Sequence, residues 1–151
     1  MKHRLVIVVL LIGLLTGCFD RERGLYDLGL EMNLGTSLPE GGTLLYRVFA
    51  PMGKDAKEYA VIQYSEGSTI AEYFSWMPMD ESAWNEVKRL LDSINLYIDR
   101  NKEELPIPSE YLPSPDMVYT MVGDFPSLAN PYVFFVFSPI DMRVHVLINL
   151  T

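Results

Sequence analysis

The stretch from Leu105 to Pro115, LPIPSEYLPSP, places four prolines in eleven residues. Each proline lacks a backbone N–H donor and holds φ near −65°, so neither a helix nor an interior strand runs through it. The chain before it and the chain after it must form their regular structure separately. An extended, polyproline-like crossover is expected to join them, an exposed arm with Tyr111 among its prolines.

Upstream, one helix is expected over about 80–102. Asp80 follows Pro78 and Met79 and is placed to cap it. Trp84, Val87, Leu91, Ile94 and Ile98 recur every three or four residues and form one apolar stripe. Before the helix, TLLYRVFA (43–50) and KEYAVIQY (57–64) read as the strands of a hairpin around PMGKDA. In the second of these, Lys57, Tyr59, Val61 and Gln63 share one face and Glu58, Ala60, Ile62 and Tyr64 the other. TIAEYFSW (69–76) is expected as a third strand, with Ile70, Phe74 and Trp76 on one face.

Downstream, MVYTMV (117–122), YVFFVFS (132–138) and MRVHVLINLT (142–151) read as three more strands. YVFFVFS is apolar at every place but its last, which suits a central strand buried on both faces. The final strand alternates. Its pattern turns Val144, Val146, Ile148 and Leu150 inward and leaves Arg143, His145 and Asn149 in solvent. The fold class is therefore α+β: one mainly antiparallel sheet of about six strands, in the order β-β-β-α-β-β-β, with a single long helix on one face. Residues 43–151 make the domain. Residues 18–42 hold five glycines and a proline, and read as a spacer whose leucines dock on the domain or on a partner.

The opening residues belong to neither. Lys2, His3 and Arg4 precede an uncharged apolar run from Leu5 to Leu15. As a helix that run rises roughly 16 Å, against the roughly 30 Å of a hydrocarbon core, so it has the form of a secretory signal peptide. Leu15-Thr16-Gly17-Cys18 resembles the lipobox of bacterial lipoproteins, a resemblance confined to residues 1–18. It implies a diacylglyceryl thioether on Cys18, cleavage between Gly17 and Cys18, and a membrane anchor of two or three acyl chains. Two or more chains anchor durably where one does not. The resemblance places the chain in the cell envelope. Because Phe19, not an Asp, follows the cysteine, it leans toward an outer membrane facing the periplasm where the cell has one, and otherwise toward the outer face of the cell membrane.

Charge narrows the partners. The chain carries 12 Lys+Arg and 20 Asp+Glu, net −8; without Lys2 and Arg4 the mature part has ten basic residues against the same 20 acidic ones, net −10. With no basic stripe, nucleic acid is excluded as a partner. Cys18 is the only cysteine, so no intramolecular disulfide forms and stability comes from burial.

Chemistry is scarce. After cleavage His145 is the one histidine, read as an exposed strand residue without a nucleophile or acid marked by spacing. No thiol or second imidazole accompanies it, so neither a metal site nor a cofactor is expected. Carboxylates are frequent but sit at the helix start and in turns, where acids are common for backbone reasons. Recognition surface remains: Trp76, Met77 and Met79, with Trp84 nearby, as an adaptable apolar patch, and Tyr111 on the crossover. The expected function is non-enzymatic: an envelope lipoprotein whose acidic domain binds another envelope protein as an accessory or assembly factor. Two rival readings are an immunity or exclusion lipoprotein that blocks an incoming toxin or phage component, to whose basic surface the acidic domain would be suited, and an envelope hydrolase built on paired carboxylates.

Overall fold

The expected hairpin, β1 (Thr43–Met52) and β2 (Asp55–Gln63), opens the fold in a computed structural model that describes residues 35–52, 55–101, 105–123 and 131–150. The elements that follow are a one-turn helix α1 (Ile70–Tyr73), β3 (Met77–Pro78), the long helix α2 (Glu81–Arg100), a 3₁₀ turn (Ser109–Tyr111), β4 (Val118–Gly123), β5 (Tyr132–Ser138) and β6 (Arg143–Leu150). All lie in the compact unit Leu38–Thr151, which begins within the stretch read as spacer and buries Leu38. The six strands form one sheet in the order β1-β2-β6-β5-β4-β3, and every pairing is antiparallel. The α+β architecture with the long helix packed on the sheet is as the sequence pattern requires. Among the described residues no helix is long and apolar enough to cross a membrane.

Register decides which side chains meet the helix. Residues directly opposite in an antiparallel pair share a face. Tyr59, Val61 and Gln63 therefore stand with Leu147, His145 and Arg143, and these with Phe134, Val136 and Ser138. Tyr59, Val61, Leu147, Phe134 and Val136 of this set pack against Val87, Leu90, Leu91, Ile94 and Ile98 of α2. Each of those five aliphatic side chains contributes about 1.5–3 kcal/mol on burial, far above the tenths that separate helix propensities. Ala83 joins the stripe and Trp84, predicted within it, lies half-buried at its margin. Asp80 caps the helix as expected, its Oδ1 accepting the Ala83 N–H at 2.8 Å. Asn101 closes the other end by donating to the Tyr97 and Ile98 carbonyls.

The reverse face is equally dry. Val133, Phe135 and Phe137 of β5, Val144, Val146 and Ile148 of β6, and Ala60 and Ile62 of β2 are all 4% exposed or less. This corrects the reading of β6. Its polar set, Arg143, His145 and Asn149, does not point to solvent. It is the set that faces the helix, with Leu147 as its one fully buried apolar member. Alternation in β6 separates two buried faces.

The third strand also departs from expectation. Residues 70–73 form α1, and only Met77–Pro78 pair, with Tyr119 and Val118 of β4. Ile70 and Phe74 are four apart, which is also a helical spacing. Coiling lets Ile70 bury completely while Phe74 stacks on Phe135 at 4.9 Å and Trp76 on Phe137 at 5.0 Å. A straight strand would carry those rings past the face they cover.

Candidate functional site

Gly17 and Cys18, the expected cleavage and lipidation positions, lie outside the described residues. The four expected partner-surface residues are described, and they do not form one patch. Trp76 is half-buried on the reverse face, its indole N–H donating to the Ile70 carbonyl at 3.2 Å. Met79 is drawn to the edge of the helix-side core, as is Trp84, over which the Lys88 ammonium sits at 6.0 Å. Met77 alone of the three remains open, 45% exposed on the outer strand β3. Tyr111 lies at the other end of the molecule's helix side, half-buried against Tyr46.

A second large apolar side chain is exposed at the same edge of the sheet, toward the reverse face. Tyr73 in α1, which the sequence pattern did not single out, is 44% exposed. Its ring meets Phe74 edge-on at 4.8 Å, and Phe74 meets Trp76 at 5.3 Å, so an aromatic ladder runs from the surface to the sheet. Glu72, Asp80 and Glu81 are exposed along the same stretch of chain. Asp80, Glu81, Ser82 and Asn85 line a shallow depression of about 520 Å³. Asp80 also accepts a hydrogen bond from the Tyr119 hydroxyl at 3.2 Å, and its charge and bond, after burial, raise the Tyr119 pKa. This edge of the sheet thus exposes a methionine toward the helix face and a ring-backed tyrosine toward the reverse face, with acidic side chains along the same stretch of chain.

The crossover is exposed along much of its length, as expected, but it is tethered rather than free. Three side chains of the sheet grip its backbone carbonyls. Tyr46 donates to the Leu105 carbonyl at 3.1 Å, Tyr59 donates to that of Tyr111, and Arg143 donates to that of Glu110 at 2.9 Å. The Arg143 guanidinium also lies 5.5 Å over the Tyr111 ring. A proline-rich segment keeps its carbonyls while losing N–H donors, and here the sheet supplies the donors.

His145 sits beneath this strut, 1% exposed where an exposed residue was expected. Its Nδ1 is 2.7 Å from the Tyr59 hydroxyl. Since the single phenolic proton goes to the Tyr111 carbonyl, Nδ1 carries the proton donated to Tyr59, and Nε2 is left as a bare lone pair. Among the described residues Nε2 has no hydrogen-bond partner, and it has no contact with solvent. Burial, helped by Arg143, depresses the His145 pKa to about 4 against smaller opposing effects of the Tyr111 carbonyl and Asp141, so the ring is neutral at pH 7. Burial, with Tyr46 second, pushes the Tyr59 phenol well above its ordinary value. This pair is chemically quiet: the base has a suitable protonation state, but nothing can reach its free nitrogen.

A second polar cluster joins the flank of α2 to β5. Arg89 forks onto Glu86, Nε to Oε2 at 2.8 Å and Nη2 to Oε1 at 2.5 Å, and Nη2 also reaches the Tyr132 hydroxyl at 2.9 Å. Tyr132 in turn donates to Glu86. Burial opposes the Glu86 charge, but the Arg89 and Tyr132 bonds outweigh it and hold the carboxyl below the usual carboxylate range. Burial first, then Glu86, pushes the Tyr132 phenol up to about 12. Each group is satisfied by the others. Among the described residues no three His, Cys, Asp or Glu side chains are grouped to hold a metal ion. No protein-family model, curated protein or solved structure matches this chain.

Proposed function

We propose that this chain is a lipid-anchored bacterial envelope protein whose acidic domain binds another envelope protein, as an accessory or assembly factor and without catalysing a reaction. The lipobox-like Leu15-Thr16-Gly17-Cys18 supports the anchor, and net −8 supports an attractive field for a basic partner. The observation that carries the reading is the exposure, at this edge of the sheet, of two large apolar side chains, Met77 at 45% toward the helix face and Tyr73 at 44% toward the reverse face, with Glu72, Asp80 and Glu81 exposed along the same stretch of chain. Aromatic and methionine side chains fixed on a rigid backing lose little freedom on binding, and acidic neighbours select basic partners. Two polar clusters favour the same reading: Glu86, Arg89 and Tyr132 bond one another, and Nε2 of His145 is sealed from solvent.

A photo-crosslinking amino acid at Met77, read in intact cells, tests this. A discrete adduct is expected, weakened by Glu72→Lys with Glu81→Lys and lost or displaced in Cys18→Ser, which cannot be acylated. An adduct pattern at Met77 no different from that at the exposed helix residue Asn95, on the other side of α2, would refute the reading.

A further inference from the structure

The proline-rich crossover, residues 105–115, is held to the sheet by side chains. Its own backbone hydrogen bonds run within it, from the Tyr111 N–H to the Pro108 carbonyl at 2.9 Å and from the Leu112 N–H to the Ser109 carbonyl at 3.3 Å. What fastens it is Tyr46, Tyr59 and Arg143, each donating to one of its carbonyls, and the packing of Ile107 and Tyr111 at the margin of the core. Leu105, Pro106, Ser109, Glu110 and Leu112 are exposed. Connecting backbone of this kind opens at lower cost than a sheet or a packed helix. His145 lies beneath it with its two nitrogens in different states. Nδ1 is committed to the Tyr59 hydroxyl at 2.7 Å, and the two rings stack with centroids 6.2 Å apart. Nε2 is sealed from solvent without a hydrogen-bond partner among the described residues.

A proton added at Nε2 would turn a sealed lone pair into a charged donor with nothing to receive it. The elements around the ring do little to relieve that. On β6, Arg143 carries like charge and opposes it; Asp141, in the turn before β6, favours it less strongly. β2 brings Tyr59, β1 brings Tyr46 and the crossover brings Tyr111, phenols that carry no charge in acid. β5 sets Val136 opposite, and the stripe of α2 on this face is aliphatic. Glu110 is exposed and offers its backbone carbonyl to Arg143. From this arrangement we infer that residues 105–115 form an acid-released strap: a proton on Nε2 of His145 is accommodated by lifting the strap off Tyr59 and Arg143, so that water reaches the ring while the sheet and α2 stay folded. Tyr59 couples the two events, because one hydroxyl takes the Nδ1 proton and gives its own to the strap. Lifting bares Tyr46, Tyr59, Arg143 and a charged imidazole, a cationic and aromatic surface on an acidic domain. With the ring titrating near 4 under the strap and near 6.5 once wet, the open fraction rises about 25-fold between pH 7.5 and 5.0. The strap stands independently of any partner at the Met77 edge.

Cleavage of the Glu110–Tyr111 bond by a glutamate-specific endoprotease reads the strap. The full-length Cys18→Ser chain is digested between pH 7.5 and 5.0 beside a free peptide of residues 105–117, which carries the same bond without the sheet. Dividing the chain's initial rate by the peptide's removes the pH dependence of the protease, and with fast reclosing the ratio follows the open population. The ratio should rise about 25-fold from pH 7.5 to 5.0 and stay level in His145→Phe. His145→Gln, which takes up no proton in this range either, serves if the phenylalanine ring does not fit. Tyr59→Phe should start higher at pH 7.5. The Glu58–Tyr59 bond of β2 and the Glu86–Val87 bond of α2 should resist throughout. A flat ratio in the parent chain, or cleavage in β2 and α2 that rises in step with the strap and so reports unfolding of the whole domain, would overturn the inference without any histidine variant. A rise that persists in a folded histidine variant would overturn it as well.

Discussion

His145 makes the stability of this fold depend on pH in a defined window. Folded, the ring is buried, bonded through Nδ1 to Tyr59, and titrates near 4; unfolded, it titrates near its ordinary 6.5. Its folded pKa is depressed, so the unfolded chain binds the proton first and stability falls as pH falls. The stabilisation is complete above about 6.5, and its loss is spread from there down to about 4. At 1.36 kcal/mol per unit, the displacement corresponds to about 3 kcal/mol, a large part of a typical total of 5–15. Urea unfolding of the Cys18→Ser chain at half-unit steps from pH 7.5 to 4.5 measures it. The native chain should lose about 1.2 kcal/mol per pH unit where the loss is steepest, near pH 5, and His145→Phe should remove that slope whatever it does to stability at pH 7. Glu86, whose carboxyl is held low, contributes its own loss only on entering the carboxylate range, below the steep part of the histidine window. Equal slopes in the native chain and in His145→Phe between pH 6.5 and 5, or a His145 ring that titrates near 6.5 by nitrogen NMR, would refute the reasoning.

Three further outcomes are expected. Tyr59→Phe should cost about 1–3 kcal/mol in urea, because it strips one partner from both the Tyr111 carbonyl and His145, and it should speed proteolytic cleavage within 105–115. Gly123→Ala should cost about 2–4 kcal/mol, since the backbone there has φ +110° and a Cβ would stand 2.5 Å from the Pro131 carbonyl oxygen; thermal unfolding reads it. Asp80→Ala should cost about 1 kcal/mol through loss of the helix cap, and amide exchange should show faster opening of the first turn of α2 with the last turn unchanged.

Much of the architecture was written in local pattern. The Asp80 cap, the stripe of α2 and the all-apolar β5 each follow from residues a few places apart, and each is where that spacing puts it. The surface at Tyr73 was harder to see. Tyr73 shares a short apolar run with Ile70, Phe74 and Trp76, and such a run suits a strand or a turn of helix equally. The choice came from Phe135 and Phe137, more than sixty residues away, which need those rings laid flat on them. The crossover shows the same limit. Its prolines exclude regular structure, but whether it stands free depends on Tyr46, Tyr59 and Arg143, whose donors come from strands remote in sequence.

His145 marks the boundary most sharply. Sequence by itself determined that β6 has two chemically distinct faces, because alternation is a property of an extended backbone. It also determined the acidic balance, the long helix and every strand segment but the third, all of which are sums or short-range periodicities. Only the tertiary structure decided that the polar face would be roofed by α2 and the crossover. A histidine can be buried on that face because one tyrosine hydroxyl, aligned from β2, bonds it, and that alignment exists only when the whole sheet is assembled.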